Sequence, residues 1–205
     1  YCWSADGVVD YEAFDDPSYE TLSNNNDAYL IVQVGMYAPD WWIEENPDER
    51  VVVSNRDGSF STYTEGGSVS ACSEKFTREA GEVLRQLMEH MKTQSYYSRI
   101  VGINLCSEKS FENMYWGAKT TDYAPDYSKP AIQKFRAWLR EEYGTVEALR
   151  AAWNDATVTF DTAQPPTFAE CGQMGAAGGF VDVETQTRVL DHTLVLNDVV
   201  TERLR

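Results

Sequence analysis

Glu108 and Glu112 stand just past the apolar run Arg99 to Leu105, in the segment SRIVGINLCSEKSFENMYWG at 98–117, with Tyr115 and Trp116 close behind. An apolar run bounded by polar residues reads as a buried parallel strand. Polar side chains placed just beyond the C-terminal end of such a strand occupy the rim where (β/α) barrels build their sites. The chemistry these residue types suit is glycoside cleavage. A carboxylic acid protonates the glycosidic oxygen while aromatic rings stack on the sugar. The alternative is a solvated loop carrying two surface glutamates.

The rest of the chain narrows the choice. At 205 residues it is long enough for one sizeable core or for part of a larger one. Hydrophobic residues make up 42% and aromatics 13%, which excludes a disordered chain. A net charge of −16 repels nucleic acid and anionic membrane surfaces, while a neutral carbohydrate is compatible with it. The same acidity also serves plain solubility. No apolar run reaches the roughly 18 residues of a membrane span, and no signal-peptide pattern opens the chain. The opening YCWSADG reads as the middle of a longer protein, and a cut or processed fragment is the expectation.

Cys2, Cys72, Cys106 and Cys171 lie far apart with no CxxC pair, so neither a structural zinc site nor a disulfide scaffold is implied. Cys106 reads as a small buried hydrophobe in the strand. His90 and His192 fall in helical segments without a second ligand nearby, and both read as packing or surface residues. No metal and no cofactor is expected.

These residues need elements to hold them. Residues 10–22 read as a short helical or irregular segment interrupted by Pro17, punctuated by the polar run Ser23 to Asp27. Tyr29 to Met36 is a β-branched and aromatic strand, followed by Pro39 and the pair Trp41-Trp42. Glu44 to Ser70 reads as a long loop excursion. A helix then follows Ser73, with Phe76, Ala80, Val83, Leu84, Leu87, Met88 and Met91 at three-and-four spacing. Strand, excursion, helix and strand make one βαβ unit, hence a parallel pair with a right-handed crossover. Residues 118–128 form a second excursion. Ser128 caps a helix with Pro130 in its first turn, which stops at Gly144, and Thr145 caps the short helix VEALRAAW. Residues 155–181 show little regular pattern. A last helix spans about 182–205, with Val189, Leu190, Leu194, Leu196 and Val200 as its apolar side.

The segment IVGINLCSEKS resembles the fourth-strand motif of glycoside hydrolase family 42 and its retaining (β/α)8-barrel relatives. In that motif the strand ends in an Asn-Glu pair. DYSKPAIQKFRAWLREEYGTVEALRAAWND is similar to the helical run of the same family, APDWWIEENPDE to its third-strand exit, and DGVVDYEAFD to its approach segment. The resemblance covers about residues 1–155. It implies an α/β fold, a partial TIM (β/α)8 barrel, with 1–205 as a single partial catalytic domain whose C-terminal barrel half is missing. It places Glu108 on the acid/base position. Two departures stand out. Ser107 replaces the family's Asn, removing a usual hydrogen-bond donor to the sugar 2-hydroxyl. Glu112-Asn113 matches where a related subgroup carries its acid, so Glu112 is the alternative. The clan's nucleophile lies on the seventh strand, beyond the matching region.

The implied function is retaining hydrolysis of a β-galactoside-like or other neutral glycoside, with this chain carrying the acid/base half of the site. Trp41, Trp42, Asn104, Tyr115 and Trp116 are the candidates for substrate contact. Each has an alternative in barrel or loop packing, and for Asn104 that alternative is a side chain facing the helix layer. The rival functions are a non-catalytic carbohydrate-binding barrel remnant and an unrelated α/β protein with a barrel-like pattern. Export to the periplasm or the exterior is expected from the substrate class alone. Sugar, linkage and oligomeric state are not readable.

Overall fold

The computed structural model describes residue 3 and residues 8–63, 69–106, 123–124, 126–171 and 183–203. In chain order the first elements are α1 (Glu12–Asn24), β1 (Leu30–Gly35), α2 (Asp40–Glu45), β2 (Val52–Asn55) and β3 (Phe60–Thr62). They are followed by α3 (Glu74–Thr93), β4 (Ile100–Cys106), β5 (Tyr123–Ala124), α4 (Lys129–Tyr143), α5 (Val146–Trp153), α6 (Phe168–Cys171) and α7 (Val183–Arg203). These elements fall into two compact units, one of residues 1–46 with 74–114 and one of residues 47–73 with 115–205.

The first unit is the βαβ element expected from the apolar runs. β1 and β4 pair in parallel, with Leu30 opposite Ile100, Gln33 opposite Asn104 and Gly35 opposite Cys106, and with a register shift between Leu30 and Ile31. Burial alternates along β1. Leu30, Val32 and Val34 are buried while Ile31 and Gln33 are exposed, the period of two that a strand covered on one face must show. The interior of this unit is completed by the α3 stripe Phe76, Ala80, Val83, Leu87 and Met91. α1 begins after Asp10, whose carboxylate accepts the Ala13 N–H at 3.2 Å, and it runs through Pro17.

The second unit corrects the reading of Glu44 to Ser70 as loop. β2 and β3 form an antiparallel hairpin, and β5 pairs antiparallel on the other side of β2, in the order β3-β2-β5. The hairpin turns at Asp57-Gly58. Gly58 takes a φ of 84°, which an L side chain rarely adopts, and Asp57 accepts from both the backbone N–H and the hydroxyl of Ser59. The helices form the core of this unit, with Phe135, Leu139, Leu149, Trp153, Val195 and Val199 among its buried residues. The expected caps are present. Ser128 Oγ accepts from Ala131 N–H at 3.3 Å, Thr145 Oγ1 accepts from Ala148 N–H at 3.2 Å, and Gly144 ends α4 at a φ of 66°.

α7 turns a different face inward from the one its leucines suggest. Val189, His192, Val195 and Val199 are buried, whereas Leu190 and Leu194 are 55% and 42% exposed. The cause is a pair of polar residues at core positions. Asp191 Oδ2 accepts from Tyr143 OH and from Trp153 Nε1, both at 2.8 Å, and His192 packs edge-on against Phe135. A buried carboxylate whose hydrogen bonds are made is tolerated, so polarity does not mark the solvent side of this helix.

Candidate active site

The strands that would carry the site end level with each other. Gly35 and Cys106, the last residues of β1 and β4, are paired, and the N–H of the following Met36 donates to the carbonyl of Cys106 at 2.8 Å. The two strands therefore run out at the same end of the sheet. Ile31, Gln33 and Gly35 share one strand face with Gly102, Asn104 and Cys106, by register and alternation. Asn104 and Gln33 are both exposed on it. By register the Asn104 position shares the face of Gln33 rather than that of buried Val32 and Val34.

Neither strand contains a charged residue, so hydrogen bonding on this face comes from two neutral amides. The Gln33 amide donates to Cys106 Sγ at 3.2 Å, and Cys106 is 1% exposed. An aromatic ring adjoins them. A Cβ built on Gly35 would stand 2.7 Å from Cε2 of Tyr37, so the Tyr37 ring lies directly against the end of β1. Amides beside an aromatic face suit a hydroxyl-rich neutral ligand. Sequence reasoning does not single out Gln33 or Tyr37. The available signal is a lone amide inside the otherwise apolar run LIVQV.

The two tryptophans after β1 separate in role. Trp42 is 1% exposed, its indole N–H donates to Glu79 at 2.6 Å, and its ring packs edge-on against Phe76. Its surface is committed to the interior of the first unit, which corrects its expected place in substrate contact. Trp41 is half-buried and meets Trp3 edge-on at 5.5 Å, leaving ring surface to offer. Glu108, Glu112, Tyr115 and Trp116 lie outside the described residues.

The histidines serve packing, as their sequence context suggests. His90 Nε2 contacts Asp15 at 2.8 Å under the stacked ring of Tyr11, and the same Asp15 accepts from Tyr96 OH at 2.5 Å. Burial, reinforced by the hydrogen bond to Asp15, raises the Tyr96 hydroxyl well above its ordinary pKa. Burial also pushes His192 down to about 4, leaving it neutral in the fold. Among the described residues no group of three or more His, Cys, Asp or Glu side chains could hold a metal ion. No helix among them is long and apolar enough to cross a membrane.

Comparison with known structures places this geometry. A β-galactosidase from Bacillus circulans sp. alkalophilus superposes with a TM-score of 0.64 at 19% identity, over 96% of this chain and 26% of its own. A cold-adapted β-galactosidase from Rahnella sp. R3 gives 0.64 at 16% identity, over 100% of this chain and 28% of its own. The catalytic domain of a β-amylase from Paenibacillus polymyxa gives 0.64 at 13% identity, over 98% and 50%. At such identities the likeness concerns the fold, and it is that of a partial α/β barrel. The chain spans only about a quarter of the length of the β-galactosidases it matches. The profile of the glycoside hydrolase 42 family, described as beta-galactosidase, matches residues 5–202. Sequence profile and fold agree, and the chain belongs to glycoside hydrolase family 42.

Proposed function

We propose that this chain is the acid/base-bearing part of a retaining glycoside hydrolase that acts on a β-galactoside-like or other neutral glycoside. The observation that carries the reading is the parallel β1–β4 pair, whose ends coincide at a single edge in a chain of family 42. Glu108 follows Cys106 by two residues and is the proposed proton donor, with Glu112 as the alternative. Trp41, Tyr115 and Trp116 are proposed to stack on the sugar, and Asn104 to bond its hydroxyls. The absence of charge on the two strands supports a neutral substrate.

Retention needs a second carboxylate about 5–5.5 Å from the acid, acting as nucleophile. This chain offers a candidate for the acid only, so the test uses the full-length protein. The purified protein is given a nitrophenyl β-galactoside, and the first-formed sugar anomer is followed by proton NMR before mutarotation. Release of the β-anomer supports a retaining hydrolase, and first release of the α-anomer overturns retention. Galactoside binding without turnover identifies the carbohydrate-binding alternative instead.

A further inference from the structure

Gln33 is the one side chain on the β1 half of the exposed strand face that can both donate and accept. It sits opposite Asn104 in the parallel register. Barrel interiors are filled mainly by branched apolar residues, and an amide pair near the strand ends departs from that rule. The Gln33 amide is exposed on this face and so accessible to a ligand. One of its N–H bonds is answered by Cys106 Sγ at 3.2 Å. That bond fixes which way the amide plane faces, because the donor nitrogen is drawn toward Cys106 and the carbonyl oxygen is turned away from it. Cys106 is held in turn, since its own carbonyl accepts from Met36 N–H. The result is an oriented acceptor beside the Asn104 amide, next to the Tyr37 ring that lies against Gly35.

From this geometry we infer that Gln33 is a substrate-recognition residue, reading a sugar hydroxyl together with Asn104, and that Cys106 positions its amide. The inference rests on the glycoside-binding reading and goes beyond it by naming a contact on β1 and the residue that orients it. A hydroxyl is a donor and an acceptor at once, and two adjacent amides answer both functions. A ligand lacking that hydroxyl would leave the pair unsatisfied, which is how such a site discriminates.

The test uses the full-length protein with Gln33→Leu, Cys106→Val and Cys106→Ser. Galactose affinity is measured by calorimetry, kcat and KM are measured on a nitrophenyl β-galactoside, and the thermal midpoint serves as a folding check. Gln33→Leu is expected to weaken galactose binding and raise KM about tenfold, the scale of one lost hydrogen bond, while the thermal midpoint holds. Cys106→Val is expected to move KM in the same direction, and Cys106→Ser to recover affinity because a hydroxyl oxygen again accepts from the amide. If the wild type hydrolyses the galactoside and Gln33→Leu leaves both affinity and KM unchanged, the inference is overturned and the hydrolase reading stands. If the wild type binds galactose without turnover and Gln33→Leu weakens that binding, the inference stands and the hydrolase reading fails. If the wild type neither binds nor hydrolyses, both fall. Equal losses of affinity and thermal midpoint in Gln33→Leu and in both Cys106 variants would mark a purely structural role and also overturn it.

Discussion

At the scale of single residues, the decisive question is which glutamate gives up a proton. A general acid matters most when the leaving group is poor, because an activated aryl group departs without protonation. Glu108→Gln in the full-length protein is therefore expected to lower turnover of lactose far more than that of a dinitrophenyl galactoside, by a factor on the order of 10² or more. An equal loss on both substrates, or a selective loss from Glu112→Gln, reassigns the acid. Gly35 allows a second test. Its missing Cβ makes room for the Tyr37 ring, 2.7 Å from where that carbon would stand. Gly35→Ala must displace the ring or the strand end, and overpacking of this kind costs about 1–3 kcal/mol. Chemical denaturation should register that loss, and an unchanged midpoint would show that the ring moves freely.

Among the elements, the junction before α4 depends on one buried carboxylate. Asp126 is fully buried and accepts from Ser70 Oγ at 2.6 Å, Ser128 N–H at 2.7 Å and Val52 N–H at 3.4 Å. It ties the helix start to the segment preceding α3 and to β2. Asp126→Ala strips two buried donors and one part-buried donor of their acceptor and is expected to cost about 2–4 kcal/mol, read as a drop in denaturation midpoint. The two faces of α7 give a paired experiment. Val195→Ala removes core volume and should cost about 1–3 kcal/mol, whereas Leu194→Ala should stay within about 0.5 kcal/mol. Equal costs would contradict the burial described. These elements also show what a sequence can reveal. β1 and β4 are legible as short apolar runs, α3 by its three-and-four spacing, and α4 and α5 by their local caps. The β2–β3 hairpin is not, because strands of four and three residues are too short for alternation to stand out. Its Asp57-Gly58 turn was the usable signal. The α7 face misleads because a hydrogen-bonded Asp191 and a neutral His192 occupy core positions that hydrophobicity assigns to solvent. At the site, Asn104 and Trp41 are proposed from strand ends and composition, as residues flanking the C-terminal ends of β4 and β1. Gln33 needs the register, and the burial of Trp42 needs the Glu79 and Phe76 contacts.

For the whole molecule, one imidazole should contribute a distinct step of acid sensitivity. His192 is 5% exposed, and burial lowers its pKa from 6.5 to about 4. The unfolded chain thus takes up a proton that the folded chain refuses as pH falls from 6.5 toward about 4. Stability is full above 6.5 and declines through that window by about 3 kcal/mol in total. Neighbouring Asp191, its pKa raised by burial, acts in the opposite sense, since its cost is felt only when it ionises as pH rises. His192→Leu should flatten the stability profile between pH 4 and 6.5, and an unchanged slope would place the sensitivity elsewhere. The interleaving of the two units has a further effect during synthesis. β2 leaves the ribosome ahead of its β5 partner, which emerges about 70 residues later. At translation speeds of 5–20 residues per second that delay lasts roughly 4–14 s. Throughout it, Val51 and Val53, which are buried in the finished fold, lack the β5 side of their sheet and the helices of their unit. In this interval the nascent chain is expected to present those apolar residues to solvent, and slow codons between residues 60 and 120 would lengthen that exposure rather than relieve it.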